Sequence, residues 1–148
     1  MAERDYTTRR SAIVNAIVDK LAIVDGTGQF QTSIANVEPR IKFWDEVDDF
    51  PSVHVSAGGE AREYLGAGIK HRFLTITLRC YVNEEDAVTA LEKLLEDVET
   101  VIEANNPLVY TTLAGDQTAI QTTVVSIDTD EGVLEPLGIG EIVIQVRY

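Results

Sequence analysis

The sequence predicts an α+β fold: a mainly antiparallel sheet, two helices packed on one of its faces, and a projecting β-hairpin arm. Three observations carry this. Tyr6 to Val24 and Glu84 to Ala104 repeat apolar residues at helical spacing. In His71 to Asn83 the apolar Leu74, Ile76, Leu78, Cys80 and Val82 alternate with Phe73, Thr75, Thr77, Arg79 and Tyr81, as in a half-buried strand. The order helix, two or three strands, helix, two strands lets both helices return over the same face of the sheet. The 148 residues fit one domain, residues 1–148, that buries roughly two-thirds of its unfolded surface.

In the first helix Ile13, Ile17 and Leu21 recur every four residues, with Val14, Val18 and Ala22 beside them. Asp5, Thr7 or Thr8 can cap its start, and Gly26 and Gly28 stop it. Thr32 to Val37 reads as a weak strand ended by Pro39. Arg40 to Pro51 mixes aromatic and acidic residues without a period and reads as an ordered connection. Ser52 to Ala57 is a short strand.

In His71 to Asn83, Leu74, Ile76, Leu78, Cys80 and Val82 share one face. Gly58 to Lys70, with glycines at both ends, is expected to extend these two strands as the arm. The second helix is capped by Asn83, with Asp86 three residues on, and ends at Asn105, Asn106 and Pro107. Thr118 to Ile127 and Glu141 to Tyr148 are expected as strands joined by a long connection, Asp128 to Gly140.

Composition excludes several classes. The net charge of −13, from 12 basic and 25 acidic residues, repels phosphate backbones. No apolar run approaches the length of a membrane span. The N-terminus has no signal-peptide core, and Cys80 is the lone cysteine, so a cytosolic setting with no internal disulfide is expected.

No catalytic constellation emerges. Asp128, Asp130 and Glu131 open like a calcium loop, but Gly132 and Ile139 occupy the fifth and twelfth positions, where ligands are needed. GAGIKH and GIGEIV lack the helix that follows a phosphate-binding loop. Cys80 falls on an apolar strand face, where a thiol is inert. His54 and His71 fall on segments read as neighbouring strands and lack further soft ligands for zinc. The sequence therefore implies no enzyme, no cofactor and no metal.

What remains is surface. Glu92, Glu96, Glu99 and Glu103 form a stripe on the second helix, either a solvated face or a surface meeting a neighbour or lining a channel. Arg62, Lys70 and Arg72 flank the arm, and its Tyr64, Leu65 and Ile69 are apolar. Opposite patches on one subunit suit head-to-tail contacts. In DTDEGVLEPLGIGE, Val133, Leu134, Leu137 and Ile139 follow an acidic turn. An oily loop either folds back onto the core or waits for a partner.

The ordered set of segments resembles the tail terminator, or tail completion, proteins of long-tailed bacteriophages. The resemblance runs through RRSAIVNAIVDKLAIVDG, FWDEVDDFPSVHVSAGGE, HRFLTITLRCYV, EEDAVTALEKLLEDVETVIEAN and VVSIDTDEGVLEPLGIGEIVIQVRY. It implies a structural virion protein without enzymatic activity, made in the host cytoplasm and placed in the tail and neck. Such a protein forms a ring, typically six-fold, that caps the head-proximal end of the tail tube. It stops tube growth and joins the tube to the head connector, and in contractile tails it also meets the sheath. DNA passes through without specific binding. Two readings stand beside this one: another neck component, such as a head–tail connector or adaptor, and a small ligand-binding or enzymatic α+β domain.

Overall fold

The computed structural model describes residues 8–148. In chain order the elements are α1 (Arg9–Leu21), β1 (Asn36–Glu38), a 3-10 turn (Trp44–Glu46), β2 (Ser52–Tyr64), β3 (Lys70–Asn83), α2 (Ala87–Ala104), β4 (Val109–Thr112), β5 (Gly115–Thr118), β6 (Gln121–Thr129) and β7 (Leu137–Arg147). Five strands form one sheet in the order β1-β2-β3-β7-β6, with only β1 and β2 parallel. β4 and β5 form a separate hairpin.

The α+β class and the two helices on one face are as the periodicities indicate. Ile13, Ile17 and Leu21 from α1, and Leu91, Leu94 and Val98 from α2, share one core with Leu74, Ile76, Leu78, Ile142 and Ile144 of the sheet. Thr8 caps α1, its side chain accepting from the Ser11 backbone N–H at 3.0 Å. The alternative caps Asp5 and Thr7, and the expected helix start at Tyr6, lie outside the described residues.

Several boundaries differ, each for a physical reason. Asn83 ends β3 instead of capping α2; the cap is Asp86, which accepts from the Thr89 backbone N–H. The strand expected at Thr32 to Val37 is shorter and later, because its pairing with β2 starts only at Asn36↔Ser52. Thr118 belongs to β5, and the β4–β5 hairpin was not visible as a period. β7 starts at Leu137, four residues before the expected Glu141, so the second half of the oily stretch, Leu137 to Gly140, is strand.

That early start explains the glycines. Gly138 and Gly140 sit on the buried face of β7, directly under α2. A Cβ on Gly138 would lie 2.7 Å from the Val82 side chain and 3.3 Å from the Ala87 carbonyl oxygen; one on Gly140 would lie 3.1 Å from Leu91 and Leu95. The helix therefore seats on bare backbone. Leu137 and Ile139 point to the opposite face, as the period of two requires.

The opposite face is partly covered by the Arg40 to Pro51 connection. The Tyr81 hydroxyl donates to the Lys42 carbonyl at 2.5 Å. Buried His54 lies between the Arg40 carbonyl, 3.1 Å from Nδ1, and the Ser52 hydroxyl, 2.8 Å from Nε2. These partners place the proton on Nδ1, with Nε2 accepting. Burial is the main cause that holds the imidazole below its ordinary value of 6.5.

Two predictions follow from this packing. Gly138→Ala lowers stability by about 1–3 kcal/mol, because its new methyl meets helix backbone; Gly140→Ala costs less, because the leucine tips beside it can rotate. Denaturant unfolding of both variants checks this, and equal costs would refute the seat. Separately, the folded His54 resists protonation that the unfolded chain accepts, so stability falls as pH drops through about 6.5. Urea titrations between about pH 7.5 and pH 5.5 should show a smaller loss for His54→Gln than for the wild type.

Candidate functional site

The irregular part of the oily stretch is only Asp130 to Pro136. The Asp130 backbone N–H donates to the Ile139 carbonyl at 3.0 Å and closes it. The Asp130 carboxylate accepts from the backbone N–H groups of Gly132 and Leu134, at 3.4 and 3.3 Å. This aspartate organises a turn. Gly132 has a left-handed φ of +82°, and a Cβ there would lie 2.8 Å from the Val88 side chain. The turn is thus folded against the start of α2.

Yet Val133 stays 81% exposed and Leu134 45%. The four aliphatic residues separate into two that remain wet and two, Leu137 and Ile139, that are half-buried in β7. Asp128 faces Glu141 across the β6–β7 ladder, and Glu131 is exposed with a positive φ of 57°. Sequence reasoning missed Phe43 and Trp44, which are also exposed. They follow Lys42, which rests on Tyr81, the register partner of Ile139. This end of the sheet therefore carries exposed apolar residues among carboxylates. The signal available was the unperiodic mixture of aromatics and acids in FWDE.

The arm occupies the other end. β2 and β3 pair out to Tyr64↔Lys70, whereas β7 stops opposite Phe73. The projection is therefore shorter than Gly58 to Lys70. Gly58 and Gly59 form a β-bulge within the sheet, two residues opposite Thr75, and leave the ladder intact on both sides. At the tip, Ala67 and Gly68 take positive φ and the Leu65 backbone N–H donates to the Ile69 carbonyl at 2.7 Å. Tyr64, Leu65 and Ile69 are exposed.

The basic residues named on the arm do not act alike. Arg62 pairs with Glu60 at 2.7 Å. Lys70 lies over the Tyr64 ring at 5.8 Å. Arg72 turns inward, over the Tyr148 ring at 5.6 Å. Three further arginines join them. Arg9 lies over the other side of the same cluster, 4.9 Å from the Tyr148 centroid. Arg10 donates to the Gly58 carbonyl, and Arg147 lies over Phe73. Six of the chain's twelve basic residues thus gather at the arm end.

On α2, Glu92, Glu96 and Glu99, with Lys93 among them, line an open groove between the helix and edge strand β6 that also includes Ile127; three carboxylates against one ammonium leave it acidic. Glu96 accepts from the Gln31 side-chain amide at 3.1 Å. Glu103 is exposed near the helix end. The same helix carries an acid of a different kind. Asp97 is buried and accepts from the backbone N–H groups of Gln31 and Thr32 and from the Thr32 hydroxyl, at 2.5–3.1 Å. It ties the chain after Gly28 to α2.

The thiol and the two imidazoles do not come together. Cys80 is fully buried, and its thiol is pushed up to about 12 by desolvation. His54 and His71 lie far apart along the β2–β3 ladder, opposite Arg79 and Glu63 respectively. Among the described residues no group of three His, Cys, Asp or Glu is placed to hold a metal. The chemistry of these surfaces is contact: apolar residues edged with acid at one end and with base at the other.

Comparison with known proteins agrees with that character. A family model described as "Bacteriophage Tail Tube Terminator Protein" matches residues 7–148. The tail tube terminator protein p142 of Escherichia phage T5 is 34% identical over 149 residues, covering 94% of this chain and 92% of that protein. A solved chain from the virion of a native gene transfer agent particle superposes with a TM-score of 0.57 at 13% identity. That superposition covers 95% of this chain and 98% of the other and shows a shared fold.

Proposed function

From the premise that this chain belongs to the bacteriophage tail tube terminator family, we propose that it assembles as a six-fold homo-oligomeric ring on the head-proximal end of the tail tube. There it stops addition of tube subunits and presents the joint to the head–tail connector; where the tail contracts, it also touches the sheath. The role is structural and involves no catalysis. The observation that carries this reading is the family match, which spans all but the first six residues.

The surface chemistry supports it. A charge of −13 suits a conduit through which DNA slides without being gripped. Exposed apolar residues on a small acidic body are costly while wet and gain on docking. We assign the end of the sheet bearing Val133 and Leu134, with Asp128, Asp130 and Glu131 around them, to docking against the tube or neck. Leu137 and Ile139 support that surface from within β7. Phe43 and Trp44 extend it.

Val133→Ser with Leu134→Ser should leave stability within about 1 kcal/mol, because both side chains are already exposed. The same double variant should fail to cap purified tail tubes in negative-stain images and should lower the yield of joined particles at least about tenfold. Capping at wild-type level would remove this surface from the joint. Ring formation itself is read by light scattering, where a closed six-fold ring has a mass near six times 16.3 kDa.

A further inference from the structure

The sheet ends in an edge that is capped at one position, where the Asn106 side-chain amide pairs with the Thr122 backbone N–H and carbonyl, each at 3.0 Å, and is open toward Ile127. Among the described residues β6 is paired only to β7, so one row of its backbone groups has no strand partner there. Edge strands are usually protected by lysine, proline or extreme shortness. The β6 sequence QTTVVSIDT is nine residues long and has neither Lys, Arg nor Pro. Its Val125 and Ile127 are exposed, and a bulge lies at Val125. Beside this edge run Glu92 and Glu99, neither of which has an ion-pair or hydrogen-bond partner among the described residues.

The arm has the complementary surface. Arg62, Tyr64, Lys70 and Arg72 share the side of the β2–β3 hairpin that faces the helices, because they pair with each other across the ladder. The apolar tip residues Leu65 and Ile69 follow. An arm of one chain cannot reach its own groove. Two strand spacings and eight residues of strand separate Lys70 from the level of Ile127, roughly 28 Å in all. A basic, apolar projection and an acidic, apolar groove on opposite corners of one chain describe a contact between different surfaces of two copies. Such contacts close into rings when the rotation permits.

We propose that the arm of one copy seats in the α2–β6 groove of the next copy, with Arg62 and Lys70 meeting Glu92 and Glu99 and the apolar tip covering Ile127. This names the subunit interface and rests on the ring reading above. The occupant is a second copy of this chain because the matching charge is already on the chain.

The test uses two full-length variants: Arg62→Glu with Lys70→Glu, and Glu92→Lys with Glu99→Lys. Oligomeric mass is measured by light scattering in free solution, and capped ends are counted on added tail tubes. Each variant alone should lose assembly in both assays. An equimolar mixture should regain it, since each arm then meets a groove of opposite sign on the other variant. Assembly by either variant alone at the wild-type level, or a mixture that stays monomeric, overturns the interface while leaving the ring reading intact. A wild-type chain that stays monomeric both free and on tubes removes the ring reading and the interface with it. Circular dichroism checks folding. If a charge reversal unfolds the chain, Arg62→Gln with Lys70→Gln takes its place, and the concentration for half-assembly should rise at least about tenfold. No rise overturns the proposal.

Discussion

The packing of α2 on bare backbone is the constraint from which most of this molecule follows. Gly138 and Gly140 remove the side chains that would hold the helix off β7. Close approach lets Leu91, Leu94, Leu95 and Val98 reach the sheet core without a gap, and gaps of even a methylene are costly. Because side chains alternate across a strand, the same two glycines send Leu137 and Ile139 to the other face. The position of α2 then sets the direction of its outer face. That face carries one buried acid, Asp97, which fastens the chain near Gln31, and a row of exposed ones beside β6.

The opposite face of the sheet is handled differently. No helix covers it. The connection before β2 supplies carbonyl partners to His54 and Tyr81, and His54 in turn partners the Ser52 hydroxyl. One consequence is that Phe43 and Trp44, carried on that connection, end up in solvent. Another is that the two ends of the sheet differ in sign. Carboxylates and wet aliphatic residues mark the turn between β6 and β7, while arginines from α1, β2, β3 and β7 cluster about Tyr148 and the hairpin. A body built this way can distinguish its contacts by both shape and charge.

Legibility in the sequence followed the strength of the local pattern. α2 was readable because its apolar residues repeat through five turns, and β3 because ten residues alternate without a break. LGIGE was misread because glycine is neither oily nor polar, so its alternation with Leu137 and Ile139 looks like a loop. The length of the arm was overestimated for a related reason: Gly58 and Gly59 bulge a strand instead of ending it. The parallel pairing of β1 and the β4–β5 hairpin depend on tertiary placement of short segments with weak periods. At the candidate surfaces, the arm and the glutamate stripe could be named in advance. The gathering of Arg9, Arg10 and Arg147 around the arm could not, because those residues are more than fifty positions away from it along the chain or at its far end. Nor could the separation of Asp97 from its glutamate neighbours, which turns on one helical step.

The placement of Cys80 has a practical side. Its sulfur lies in the middle of β3, closed over by β2, β7 and the helices, and its thiolate is scarcely formed at neutral pH. Thiol reagents that modify accessible, ionised cysteines will pass it by. A fluorophore or spin label attached through one introduced cysteine would therefore report from that position alone, in a chain whose own sulfur need not first be removed.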